Sequence, residues 1–279
     1  FPKRHKMKWI SILVLLGISW CGALKGGSTN QVDEGDNTLL QLYYVQDAEH
    51  REAVCNDGTD SGFYFRQGAS GVTRWVIHLQ GGWWCWDTKT CADRWNTSTI
   101  LMTNKLWSQQ ISVSGIFSTN ATDNPDFYNS NAVYIPYCSS DSWSGDIGKE
   151  DQGEWNFRGK KIVKAVIEDL IDSFGLGAAT EVIFSGTSAG GQGVIVDVDF
   201  VHDILGEVPS LKNFAGVADA GWMQNIPPLY PSTVSIETQF KLGIKYWNGQ
   251  VDSDCAVGNP GNEWMCFVSP YAYPYIQSH

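Results

Sequence analysis

Between Arg158 and Phe174 the apolar residues Ile162, Val163, Val166, Ile167, Leu170 and Ile171 recur at three- and four-residue spacing, with Lys, Glu and Asp on the other side. That is the period of a helix with one buried stripe. Around it lie short β-prone runs. Arg74–Gln80 ends at Gly81-Gly82, Ala132–Tyr137 follows, Val182–Ser185 ends at Gly186, and Phe214–Ala218 precedes Asp219. A second helix is predicted from Ala189 to about Leu205. From residue 132 onward the order is strand, helix, strand, helix, strand. Such a succession calls for a parallel sheet covered by helices on both faces.

The N-terminal end has a different texture. Lys3, Arg4, Lys6 and Lys8 precede and flank Met7, and an apolar run from Trp9 to Trp20 leads to Cys21-Gly22-Ala23. This is the layout of a secretory signal peptide, with cleavage expected after Ala23, and the run is short for a stable membrane span. Residues 24–54 are polar and acidic, which predicts a flexible lead-in with order beginning near Cys55. A domain over 55–279 then follows. At 43% hydrophobic residues the chain supports a sizeable core.

Seven cysteines remain to be placed. Without Cys21, which falls in the signal region, six are left, and an even number in an exported chain reads as disulfides. Fifteen pairings exist for six cysteines. Closing short loops costs least entropy, which favours Cys85 with Cys91 and Cys255 with Cys266, and leaves Cys55 for Cys138. No pair has Cys-x-x-Cys spacing and no histidine is near one in sequence, so no metal site is expected. Asn96-Thr97-Ser98 and Asn120-Ala121-Thr122 are glycosylation sequons that fit the same setting. The formal net charge of −11 disfavours nucleic acid and anionic polysaccharide as partners.

The chemistry concentrates at Gly186-Thr187-Ser188-Ala189-Gly190-Gly191. A Gly-x-Ser-x-Gly pattern after an apolar run is the sequence form of a strained strand-to-helix turn that presents a serine. Ser188 is therefore the candidate nucleophile. A serine esterase also needs donors for the tetrahedral oxyanion and a base for the hydroxyl proton. The backbone N–H of Ala189 is one donor, and the turn Gly81-Gly82-Trp83 offers Gly82 and Trp83 N–H groups as others. Among the histidines, His78 reads as a satisfied sheet-face residue, His202 lies far along the helix after Ser188, His50 falls in the lead-in, and His279 is terminal. Asp219 is a weak candidate for the acid. The acid and histidine are expected downstream of His279, so the 279 residues alone are expected to be nearly inactive and to fold poorly. Thirteen tryptophans add aromatic surface, and Trp84, Trp143 and Trp222 are candidate walls of an acyl pocket.

Several blocks, in order from Cys55 to Tyr275, carry a resemblance. They are Cys55-Asn56-Asp57-Gly58, Gly81-Gly82-Trp83-Trp84-Cys85, Pro136-Tyr137-Cys138-Ser139-Ser140-Asp141-Ser142-Trp143-Ser144-Gly145, the elbow itself, Ala218-Asp219-Ala220-Gly221-Trp222 and Tyr246-Trp247-Asn248-Gly249. They resemble the pectin acetylesterase and Notum family of secreted serine carboxylesterases. The Cys-Ser-Ser-Asp run and Glu263-Trp264-Met265-Cys266-Phe267 look more like the Notum branch, although Trp84 replaces the tyrosine usual there. The resemblance implies an α/β-hydrolase fold with a mostly parallel sheet, incomplete at the C-terminal side. It also implies a cofactor-free acyl-enzyme mechanism in which Ser188 is the nucleophile and Gly82, Trp83 and Ala189 form the oxyanion hole. The implied partner is a palmitoleoylated secreted protein of the Wnt type. An acetylated polysaccharide is the alternative substrate, and a non-catalytic lipid- or glycan-binding relative is the alternative of another class.

Overall fold

In the computed structural model, residues 39–278 are described. The signal-peptide expectation, the start of the lead-in and His279 lie outside them. Seven strands form one sheet: β1 (Leu39–Tyr44), β2 (Gly62–Arg66), β3 (Arg74–Leu79), β4 (Gln110–Ser112), β5 (Asn131–Ile135), β6 (Glu181–Thr187) and β7 (Asn213–Asp219). The helices are α1 (Thr88–Thr97), α2 (Lys149–Gln152), α3 (Gly159–Ser173), α4 (Ala189–Leu205), α5 (Ile236–Tyr246), α6 (Ser253–Gly258) and α7 (Ser269–Ala272).

The strand order is β4-β1-β2-β5-β3-β6-β7. β5, β3, β6 and β7 are parallel, and β1, β2 and β4 join through antiparallel pairs. The parallel half is the one the apolar runs predict. Helix α3 buries Ile162, Val163, Val166, Ile167 and Leu170 completely, and α4 is buried along most of its length, packed on β6 and β7 and against α3. Both helices begin and end within a residue of their predicted bounds.

The lead-in is corrected over its second half. Order is present from Leu39, because Leu40 and Leu42 alternate into a small apolar cluster with Tyr64, Phe117 and Ala132. Leu42 also pairs with Tyr64 in the antiparallel ladder to β2. The turn that follows is fixed as well. Gln46 N–H donates to Asp169 Oδ2 at 2.9 Å, and Arg51 pairs with Glu168 at 2.8 Å.

The disulfides join Cys55 to Cys138, Cys85 to Cys91 and Cys255 to Cys266, as loop closure favours. Asn96 and Asn120 are both exposed. Among the described residues no cluster of three His, Cys, Asp or Glu could hold a metal ion, and no helix is long and apolar enough to cross a membrane.

Candidate active site

The sheet's register creates the site. β3 and β6 run parallel with Leu79 opposite Gly186, so the two chains leave the sheet side by side and Gly81 comes alongside Ser188. A Cβ placed on Gly81 would lie 2.9 Å from Ser188 Cβ and would overlap the Thr187 carbonyl. Only glycine allows that approach. β7 ends level with both, with Asp219 opposite Thr187. The carboxyl edge of a parallel sheet is where open α/β folds place ligands.

Ser188 is half-buried and has φ 58° and ψ −118°, a conformation L-residues avoid and which must be held by its surroundings. Two backbone bonds hold it. Ser188 N–H donates to the Asp219 carbonyl at 2.8 Å, and the Ser188 carbonyl accepts from Gln192 N–H at 2.9 Å as the first turn of α4 closes. A side chain on Gly190 would collide with the Leu79 carbonyl, so the helix start packs directly on the end of β3. The first turn of α4 carries no acidic residue, and its unpaired N–H groups and dipole favour negative charge beside Ser188.

On the facing side, Gly82 has φ 144° and Trp83 φ 60°. Two successive residues outside the common regions turn the chain sharply after β3. A Cβ on Gly82 would lie 2.8 Å from Leu101 Cδ1. Trp83 is 43% exposed and stacks on Trp84 at 4.4 Å between ring centres. Trp84 is buried and stacks in turn on Phe240 at 4.8 Å, which stacks on Phe267 at 4.9 Å. The result is an aromatic wall running from the turn into the core, with α5 contributing Phe240.

Of the three tryptophans expected to wall a pocket, Trp84 is buried behind Trp83 as the inner layer of this stack, which corrects its expected place on a pocket surface. Trp222 follows Gly221, which abuts Gly191 at the start of α4, and is 43% exposed. Trp143 is a second correction. It is fully buried, its ring lies 4.9 Å from Tyr137, and its Nε1–H donates to the Gln80 carbonyl at 3.2 Å. The residues Ser140, Ser142 and Trp143 all have positive φ, and the folded-back loop they make turns that indole into the core. Asp141 holds this loop, accepting from Ser139 Oγ at 2.6 Å and from Gly159 N–H at 2.7 Å. Burial pushes its carboxyl up to about 7.

His78 sits on the sheet face as expected. Its Nδ1 is 2.9 Å from Ser185 Oγ and its Nε2 3.3 Å from Thr187 Oγ1. Thr187 Oγ1 donates to Asp219 Oδ2 at 3.4 Å. Burial depresses the imidazole to about 4, against the pull of Asp219. With both ring nitrogens engaged, His78 is not free to serve Ser188. His202 packs on Phe214 at 5.4 Å near the far end of α4. Sequence reasoning passed over Arg94, which is buried behind the glycine turn. Its only local signal is its place three residues after Cys91, on the helix that the Cys85–Cys91 bridge pins to that turn.

The description "Pectinacetylesterase" belongs to the family model that matches residues 34–279. The chain belongs to the pectinacetylesterase family. Within the family it is similar to the palmitoleoyl-protein carboxylesterase notum1a of Danio rerio, 38% identical over 246 residues, covering 85% of this chain and 48% of that protein. It is also similar to the palmitoleoyl-protein carboxylesterase NOTUM of Homo sapiens, 36% identical and covering 80% of this chain and 46% of that protein. The chain thus spans about half the length of these relatives. The structure of the Wnt deacylase Notum from Drosophila superposes with a TM-score of 0.79 at 35% identity, covering 85% of this chain and 69% of that one. The sheet and its crossovers are those of an α/β-hydrolase.

Proposed function

We propose that the chain carries the nucleophile half of a secreted serine carboxylesterase that removes a long-chain acyl group from an acylated protein. Ser188 attacks the ester carbonyl. The N–H groups of Ala189, Gly82 and Trp83 receive the oxyanion, the alcohol leaves, and water later releases the acid from the acyl-enzyme. His78 and His202 are otherwise engaged and do not serve as the base in this reading.

The observation that carries this reading is the apposition of the strained Ser188 elbow and the glycine turn at the ends of two parallel neighbours. The exposed ring of Trp83, backed by the buried stack of Trp84, Phe240 and Phe267, offers apolar surface beside the turn for a long acyl group, whose burial contributes about 0.8 kcal/mol per methylene. The names of the relatives, palmitoleoyl-protein carboxylesterases and a Wnt deacylase, suggest a palmitoleoyl ester on a Wnt-type protein. The three disulfides and the exposed sequons at Asn96 and Asn120 suit an extracellular glycoprotein.

The test is chain-length preference of the full natural protein on p-nitrophenyl esters, beside Ser188→Ala. Octanoate cleaved well above acetate, and lost in Ser188→Ala, supports the reading. Acetate-only cleavage transfers the site to a polysaccharide O-acetylesterase. Acyl binding without turnover makes the protein a lipid-binding relative.

A further inference from the structure

Arg94 stands out because a guanidinium that is only 9% exposed is held by neutral groups. Nε donates to Ser140 Oγ at 2.7 Å, Nη1 donates to the Gly82 carbonyl at 2.8 Å, and the guanidinium carbon lies 5.7 Å from the centre of the Tyr137 ring. Nη2 is buried with no hydrogen-bond partner. Burying a charge on such terms is costly, and desolvation lowers the Arg94 pKa against the smaller pull of Tyr137 and Asp141.

The Gly82 carbonyl gives this arrangement a use. In a trans peptide the C=O and N–H point in opposite directions, and the chain has no cis bonds among the described residues. Arg94 pulls the Gly82 oxygen toward α1, so the N–H of the same peptide, which belongs to Trp83, points away from α1. Without that grip the peptide is free to flip, since Gly82 has no side chain to resist rotation. Arg94 itself is delivered rigidly. The Cys85–Cys91 bridge ties α1 to the turn, and a capping box of Asp87 with Thr90 fixes the helix start.

We propose that Arg94 is a positioning residue for the oxyanion hole: by holding the Gly82 carbonyl it sets the Trp83 N–H to meet the oxyanion formed at Ser188. This rests on the esterase reading above.

The test uses the full natural protein as wild type, Arg94→Met, Arg94→Lys and Ser140→Ala. Turnover of p-nitrophenyl octanoate is normalised to sites titrated with a fluorophosphonate. Binding of octylboronic acid, which mimics the tetrahedral state, is compared with binding of octanoate, which does not. The expectation for Arg94→Met is a kcat lower by about 100-fold, the usual cost of one misplaced oxyanion donor, with KM little changed. Boronic acid binding weakens in parallel and octanoate binding holds. Arg94→Lys recovers part of both, because an ammonium reaches one acceptor of the two. Ser140→Ala, which loosens Arg94 without removing it, lowers kcat and boronic acid affinity together by several-fold.

Arg94→Met with wild-type kcat per titrated site and wild-type boronic acid affinity overturns the proposal. If that variant does not fold, Ser140→Ala decides: unchanged kcat and boronic acid binding overturn it equally. Wild-type protein inactive on every ester is a different failure. It removes the esterase reading and the proposal with it.

Discussion

Acidification should destabilise this protein through His78 in a measurable way. The ring is packed against Tyr134 at 5.8 Å and Phe117 at 5.6 Å, and its nitrogens lie beside the hydroxyls of Ser185 and Thr187. Burial moves it from an ordinary 6.5 to about 4. A base whose folded pKa is depressed binds fewer protons folded than unfolded between those values, so its penalty grows as pH falls from about 6.5 toward 4 and is absent above 6.5. At about 1.4 kcal/mol per pH unit, the full penalty is about 3 kcal/mol. Urea unfolding of wild type and His78→Phe at pH 7.5 and 4.5 isolates the effect. Phe removes the titration and adds a pH-independent cost from the two hydroxyls that lose a partner. Wild type should therefore lose about 2 kcal/mol more than His78→Phe over that interval. Equal losses in the two proteins would refute the argument, because buried carboxylates are common to both.

Three further outcomes are expected. Replacing Cys55 and Cys138 by serine should cost about 4 kcal/mol in chemical unfolding, since the bridge spans a sequence separation of 83; a loss under 1 kcal/mol would contradict it. Lys160→Met should destabilise by about 3–5 kcal/mol, because Asp197 is fully buried and pairs with Lys160 at 2.6 Å, and Lys160→Met with Asp197→Leu should recover much of that. Gly81→Ala should lower ester turnover by about 100-fold, because the new Cβ would push the turn away from Ser188, and the loss should fall on kcat more than KM.

Much of this molecule was legible in its sequence, for identifiable reasons. α3 has a strongly periodic apolar stripe and α4 a dense apolar run from Val194, and the elbow is dictated by sterics that only small residues satisfy. β1 was missed because its six residues follow an acidic, polar stretch, and their burial comes from β2 and Phe117, partners distant in sequence. Trp143 was misplaced because spacing does not reveal that positive-φ residues at 140, 142 and 143 fold its loop inward. Arg94 was invisible for a similar reason. It lies on a mostly polar helix, and its burial comes from the loop at Ser140 and the glycine turn, which only the folded chain brings together.

The central claim is that Ser188 is the nucleophile, and covalent capture tests it most directly. The full natural protein treated with an alkyl fluorophosphonate should gain one adduct, mapped by peptide mass spectrometry to Ser188, with ester turnover falling in step with labelling. An adduct on another residue, or turnover that persists with Ser188 fully modified, would contradict the account.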